Sequence, residues 1–159
     1  MLFWKKLGKH QFELFADYHQ FYLQDETAKG DLSDSWTQQA TDDLLAVAPC
    51  TIGVGTVRNM KVPVEVIVQD SPPNNDFEKW DHVVDCSLDV PSGIIVVAGC
   101  TDYFPDAARI KVKPGGYNAR IYYGGLDTLS EDGLEGDDHY HVYLWPGQPR
   151  SVMVLKRRK

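Results

Sequence analysis

The chain of 159 residues is long enough for one domain with its own core, and 43% hydrophobic and 11% aromatic residues exclude a disordered protein. Seven of its 16 basic residues lie near the two ends, so that residues 10–155 hold nine basic against 23 acidic residues, a balance of −14 within a net charge of −7. This charge excludes a body that binds nucleic acid or anionic membranes and favours a cationic partner, and no apolar run approaches the ~20 residues of a membrane helix.

Both ends of the chain are basic, and we expect both to be frayed. Residues 1–9 contain three lysines but neither the apolar core nor the cleavage site of a signal peptide. Residues 156–159 read Lys-Arg-Arg-Lys, which we interpret as a solubilising tail rather than a contact for RNA or DNA. We therefore expect residues 1–159 to form a single domain with basic ends.

The cysteines indicate the compartment. Cys50, Cys86 and Cys100 are an odd set without the Cys-x-x-Cys spacing of redox or zinc motifs. This pattern is typical of free, buried thiols, and it predicts a cytoplasmic protein.

The first predicted element is a helix. Ser35 and Gln38 form a capping-box pattern at its start. Apolar residues then recur at helical spacing until Pro49 ends the pattern, at Trp36, Ala40, Leu44 and Val47.

After the helix, the hydrophobic period is two, which predicts half-buried strands. Val62, Val64, Val66 and Val68 share one face, and residues 82–90, 109–113 and 117–123 repeat the alternation. In residues 139–145 we expect Tyr140, Val142 and Leu144 to point inward, whereas the continuous apolar run at 93–99 predicts a central strand.

Turn residues separate these strands. Pro91-Ser92-Gly93, Pro114-Gly115-Gly116, Pro146-Gly147-Gln148-Pro149 and residues 58–61 are expected to join neighbouring strands into hairpins. About eight or nine antiparallel strands with one short helix predict a mainly β protein, a single-domain antiparallel β-sandwich.

Two exposed clusters are candidates for a partner-binding surface. The first is the predicted loop with Asp102, Tyr103, Phe104 and Asp106. The second holds six carboxylates and no basic residue within twelve positions, namely Asp127, Glu131, Asp132, Glu135, Asp137 and Asp138. Aromatic anchors with an acidic rim are typical of an interface for a basic protein. The alternative is a pair of ordinary loops, with the aromatic rings turned inward and the acids solvated.

Other chemistry has less support in the sequence. Asp137, His139 and His141 share one face of a strand and form a candidate metal site, without further ligands at matching spacing. Asp127, Asp132 and Asp138 could form an irregular calcium cage, although the spacing of an EF-hand is absent. The Cys100–Asp102 loop is a candidate nucleophile site, but its neighbours are acidic where a thiolate needs a base. A small molecule bound between the sheets is a third possibility on which the sequence is silent.

The N-terminal part of the chain resembles a known family. The segments "DYHQFYLQD" (17–25), "WTQQA" (36–40), "LAVAPCTIGV" (45–54) and "RN" (58–59) resemble, in order and spacing, the competence protein J (ComJ) family. That family consists of small acidic bacterial proteins that inhibit a DNA-entry nuclease. The resemblance continues faintly to the Pro-Gly-x-Tyr turn at 114–117, whereas both candidate clusters lie in segments without a counterpart.

Together these observations predict a non-enzymatic, acidic, cytoplasmic binding protein of inhibitor or immunity type that needs no cofactor. Its partner would be a basic protein, which the resemblance identifies as a nuclease, and the carboxylates would replace the phosphates in its cleft. The resemblance also implies an alternative contact around Tyr18, His19 and Gln20. The competing hypothesis is a metal-dependent enzyme or metal-binding protein that uses the Asp137, His139 and His141 face or the Cys100–Asp102 loop. Oligomeric state does not follow from the sequence.

Overall fold

A computed structural model describes residues 8–159, which form eleven strands and one short α-helix. The strands are β1 (Gly8–Phe15), β2 (Gln20–Asp25), β3 (Leu45–Ala48), β4 (Thr51–Gly55), β5 (Lys61–Val68), β6 (His82–Val90), β7 (Ile94–Gly99), β8 (Ala108–Lys111), β9 (Gly115–Gly124), β10 (His139–Pro146) and β11 (Met153–Lys156). Helix α1 spans Gln38–Asp43, and two 3₁₀ turns span Asp17–His19 and Phe104–Asp106. The predicted mainly β architecture with one short helix is confirmed.

The strands form two sheets that enclose one core. The six-stranded sheet has the order β1-β5-β10-β9-β6-β11, and the five-stranded sheet has the order β3-β4-β2-β7-β8. Side chains from both sheets meet in a single apolar cluster, which makes the molecule a sandwich. The period-two pattern explains this core, since Val62, Val66, Tyr140, Val142 and Leu144 are all fully buried.

One strand pair departs from the antiparallel pattern. Strand β10 runs parallel to β5, with Tyr140 opposite Val64 and Leu144 opposite Val68, while every other pair among residues 8–159 is antiparallel. The parallel pair places β10 in the middle of its sheet, where its inward face is covered by the opposite sheet.

The predicted hairpin turns do reverse the chain, but they do not join neighbouring strands. The turns at 58–61, 91–93 and 114–116 carry the chain from one sheet to the other, and residues 146–149 lead from β10 to β11 at the sheet edge. The hairpins are instead β3–β4, β7–β8 and β9–β10. Turn residues determine that a chain reverses, whereas side-chain burial decides which sheet receives the next strand.

Helix α1 is shorter than predicted. Its N-cap is Thr37, whose hydroxyl accepts the Ala40 N–H at 3.1 Å, so the predicted capping box from Ser35 is wrong. The helix ends at Leu44, which is left-handed (φ 58°), and Val47 belongs to β3. Residues 45–48 pair with β4 instead of continuing the helix, because their apolar spacing suits a short edge strand as well as a helix.

Three of the four residues of the basic C-terminus contact the body, where the sequence predicted a frayed end. Lys156 ends β11, and its ammonium donates to the Phe77 carbonyl at 3.0 Å. Arg157 pairs with Asp43 at 2.7 Å, and the Arg158 N–H donates to His82 Nδ1 at 3.1 Å. At the other end, Gly8 and Lys9 belong to β1, and the rest of the predicted frayed segment lies outside the described residues. No helix within the described range is long and apolar enough to cross a membrane.

Candidate functional site

One end of the sandwich collects the two predicted clusters. The strand register places four connections there, which we call the loop end: residues 17–19, 56–60, 100–107 and 125–138. Phe15 pairs with Lys61 and Gln20 with Gly55, so the turn between β1 and β2 lies beside the β4–β5 connection. The topology therefore brings together segments that are far apart in the sequence.

The β7–β8 loop displays an aromatic side chain. Tyr103 is 71% exposed, and Phe104 is partly covered by the Arg109 guanidinium, 5.2 Å from the ring centroid. Asp102 turns back, where its carboxylate accepts the Gly99 N–H at 2.8 Å and fixes the start of the loop. Asp106 is exposed within the short 3₁₀ turn. The structure thus presents Tyr103 to solvent and leaves Phe104 partly exposed under the Arg109 guanidinium.

The loop is tied to the second contact region that the sequence suggested. The Thr101 hydroxyl donates to the Asp17 carboxylate at 3.1 Å, which links the β7–β8 loop to the turn between β1 and β2. In that turn Tyr18 is 69% exposed. Tyr18 and Tyr103, which the sequence analysis treated as parts of alternative surfaces, therefore lie at the same end of the molecule.

The β9–β10 loop carries the acidic rim. Five of its six predicted carboxylates are exposed, at Asp127, Glu131, Asp132, Glu135 and Asp137. Hydrogen bonds within the loop hold its shape, because Asp132 accepts the Ser130 hydroxyl at 2.7 Å and the Leu134 N–H at 3.0 Å. The bond from Ser130 is the main reason that the pKa of Asp132 lies below its usual value, which keeps this carboxylate ionised.

Asp138 does not belong to the exposed rim. Its side chain is fully buried, lies 2.8 Å from the Arg58 guanidinium and accepts the Tyr140 hydroxyl at 2.7 Å. The Tyr140 hydroxyl in turn accepts the Val57 N–H at 3.0 Å. This network pins the acidic loop to the β4–β5 connection. The burial of Asp138 could have been predicted from the sequence, because the alternation that buries Tyr140 places residue 138 on the same inward face.

The two histidines of the candidate metal site are engaged separately. His141 Nε2 lies 3.1 Å from Glu65, and His139 Nδ1 donates to the Asp137 carbonyl at 2.8 Å. Both rings contact Trp80, with centroids 4.8 and 5.2 Å away, and burial is the main cause that lowers the pKa of His141. Within residues 8–159, no group of three or more histidine, cysteine or acidic side chains, including the proposed calcium cage, is arranged to hold a metal.

The Cys100–Asp102 loop does not gain a base from the fold. Cys100 Sγ lies 3.1 Å from the Tyr22 hydroxyl, and burial, followed by this hydrogen bond, raises the pKa of Tyr22, so the phenol stays protonated at neutral pH. His19 and His82 bond to the carbonyls of Thr56 and Asp43. These contacts leave Asp102 as an element of the loop geometry.

The sequence analysis missed a groove beside Tyr18. It has a volume of about 560 Å³, and its lining includes Trp36, Leu44 and Arg158. Trp36 lay within the predicted helix, and Arg158 lay within the predicted frayed tail. Their approach depends on the strand order and on the docking of the C-terminus, which no local pattern encodes.

The sequence matches no protein-family model and no curated protein. The fold is similar to the crystal structure of ComJ from Bacillus subtilis, described as an inhibitor of the DNA degrading activity of NucA, with a TM-score of 0.65 and 20% identity over 89% of this chain and 98% of that one. It is also similar to a structure described as crocagin biosynthetic gene J, with a TM-score of 0.56 and 15% identity over 89% of this chain and 97% of the other. The distant resemblance to ComJ is thus confirmed as a shared fold that extends well beyond the N-terminal segments.

Proposed function

We propose that this chain is a non-enzymatic inhibitor of immunity type that occludes the substrate cleft of a basic partner, a nuclease. The observation that carries the proposal is the loop end, where exposed Tyr18 and Tyr103 are linked through Asp17 and Thr101. The shared fold with ComJ, whose description names it an inhibitor of DNA degradation by NucA, supports this direction.

The mechanism follows from the chemistry of a nuclease cleft, which must be basic to hold phosphates. The exposed carboxylates of the acidic rim would take the place of phosphates and attract the partner over long range. The aromatic rings of Tyr18 and Tyr103 would then be desolvated at contact, which slows dissociation. Because the β7–β8 loop and the β1–β2 turn are hydrogen-bonded to each other, little ordering of the backbone is needed on binding.

The role of a binding protein, rather than an enzyme, is supported by the state of the reactive side chains. Cys100, His139 and His141 are each in contact with structural neighbours. We further propose a cytoplasmic location, because Cys50, Cys86 and Cys100 are all free thiols.

The first experiment is capture with the purified, immobilised protein from the host lysate, at low salt and at ~0.5 M salt, where electrostatic screening is short-ranged. We expect a basic, DNA-degrading protein that is retained at low salt, is released at high salt and loses its activity when the chain is added back. An inhibitor role is contradicted if the captured nuclease remains fully active at saturating chain.

Two variants of equal charge test the surface. Glu135→Gln with Asp137→Asn removes two of the five exposed charges of the rim without touching the hydrogen bonds of Asp132. Asp70→Asn with Asp89→Asn removes the same charge at the opposite end of the sandwich. We expect only the first variant to weaken capture, with thermal stability unchanged in both. Equal weakening in both variants would show that net charge, and not the acidic rim, attracts the partner.

A further inference from the structure

The groove beside the loop end has the construction of a binding site. It has a volume of about 560 Å³, within the range of pockets that take small molecules. Its walls come from the β1–β2 turn, the segment before α1, the end of α1, the end of β4 and the C-terminal tail. The lining residues are Tyr18, His19, Gln20, Trp36, Leu44 and Arg158, with smaller contributions from residues 41 and 55–57.

The backbone around this groove is strained. Tyr18, His19 and Leu44 have φ angles of 58°, 60° and 58°, a left-handed conformation that costs a non-glycine residue free energy. Among the described residues only four non-glycine residues have positive φ, and three of them line this one groove. Strain of this kind persists where the surrounding contacts hold it, and it concentrates at binding sites.

Hydrogen bonds hold the strained turn in place. The His19 carbonyl accepts the Thr56 N–H at 2.8 Å, and His19 Nδ1 donates to the Thr56 carbonyl at 3.2 Å. Because that carbonyl can only accept, Nδ1 carries the proton of this bond. The Gln20 amide accepts the Trp36 indole N–H at 2.9 Å and donates to the Tyr18 carbonyl at 3.3 Å. The aromatic walls are therefore positioned before any ligand arrives.

Glycines of β4 make room for these walls. A Cβ at Gly53 would lie 3.1 Å from Trp36 Cζ2, and a Cβ at Gly55 would lie 3.2 Å from Leu44 Cα. Larger residues would push Trp36 and Leu44 away from the sheet. The packing of the Trp36 indole on the sheet thus depends on a glycine at position 53, where most strands have a β-branched side chain.

The charge of the groove is opposite to that of the protein. Among residues 8–159, Arg158 is the only lining residue with a full charge and no carboxylate lines the groove, although the chain has 23 acidic residues and a net charge of −7. The Arg158 backbone is held by its bond to His82, and the neighbouring Arg157 is paired with Asp43, so Arg158 is the arginine of the tail that lines the groove. A guanidinium with a planar set of donors matches a carboxylate.

We propose that this groove binds a small aromatic carboxylate, with the ring against Trp36 and Tyr18 and the carboxylate on Arg158. The polar side chains of Gln20 and the residues 41 and 56 border the same space and are suited to hydrogen-bond a substituent on the ring. The groove shares Tyr18 with the proposed partner surface, but none of the acidic rim lines it, and the test below uses no partner protein.

The test uses indole-3-acetate as the probe and indole-3-acetamide as its uncharged control. Binding is followed through the ¹H–¹⁵N resonance of the Trp36 indole, which is assigned from its loss in Trp36→Phe. We expect indole-3-acetate to shift this resonance and to bind roughly tenfold more tightly than the amide, the ratio of one charge-assisted contact. Equal affinities for the two probes, or no shift with either, would overturn the proposal.

Three variants assign the contact to Arg158. Arg158→Met removes the charge but keeps the backbone N–H that docks the tail on His82, so the fold is preserved. We expect this variant to bind indole-3-acetate and indole-3-acetamide with nearly equal affinity, so that the ratio of the two affinities falls to about one. Arg158→Lys is expected to keep part of the preference, and Lys159→Met, a change of equal charge outside the groove, to keep all of it. An undiminished preference in Arg158→Met would also overturn the proposal.

Discussion

Asp138 offers a sharp test of the division between the exposed rim and the buried anchor of the acidic loop. In Asp138→Asn the shape of the side chain is retained, but the charge that faces Arg58 at 2.8 Å is lost. The Arg58 side chain is only 11% exposed, so its guanidinium would remain desolvated without a counter-charge. Loss of one partner of a buried ion pair costs about 3–5 kcal/mol. Since an asparagine oxygen can still accept the Tyr140 hydroxyl, we expect a loss of about 2–3 kcal/mol.

The assay is urea unfolding followed by circular dichroism, with thermal unfolding as a second readout. A loss of this size lowers Tm by about 5–10 °C in a chain of this length. The matched control is Asp137→Asn, which removes the same charge from the neighbouring exposed residue and should change the free energy of unfolding by less than about 0.5 kcal/mol. If Asp138→Asn is as stable as Asp137→Asn, the anchoring role is wrong. The double variant with Arg58→Met should recover part of the loss, because it removes the unpaired charge.

Three further predictions concern the backbone and the pH dependence. Tyr18→Asn should raise stability by about 0.5–1 kcal/mol in urea unfolding, since asparagine tolerates the left-handed conformation, while it weakens capture of the partner. Gly99→Ala should lower Tm, at a cost of about 1–3 kcal/mol, because the new Cβ would clash with the Phe15 carbonyl oxygen; an unchanged Tm would contradict the close approach of β7 to β1. Burial lowers the pKa of His82 below that of an unfolded histidine, so the unfolded chain binds the proton more readily below pH ~6.5 and stability falls as the pH drops. Urea unfolding at pH 7 and pH 5 should show a smaller fall in His82→Gln; an equal fall would assign the dependence to other groups.

Much of the fold follows from local pattern. The alternation in residues 62–68 and 140–144 predicts which side chains are buried, because a half-buried strand must place its apolar residues on one face. The continuous run at 93–99 predicts the interior strand β7 for the same reason. The same alternation also predicts that Asp138 is buried, whereas its place among the acidic residues had assigned it to the exposed rim.

Strand order did not follow from pattern. Turn residues such as Pro91 and Gly93 fix the reversal of the chain, but the choice between a hairpin and a crossing to the other sheet depends on long-range burial. Long-range burial also decides that β5 pairs with β10 in parallel. It likewise decides that β3 replaces the second half of the predicted helix. Each is decided by a neighbour that lies far away in the sequence.

The candidate site also has features that the sequence predicts and features that depend on the tertiary structure. The sequence by itself determined an acidic, mainly β protein with an aromatic loop at 102–106 and a carboxylate-rich loop, because composition and local alternation are properties of neighbouring residues. Only the tertiary structure decided that Tyr18 lies with Tyr103 at one end, that Asp138 is an internal anchor for Arg58, and that Arg158 reaches the groove of Trp36. These contacts join residues separated by long stretches of chain, and they form only when both sheets have closed around their common core.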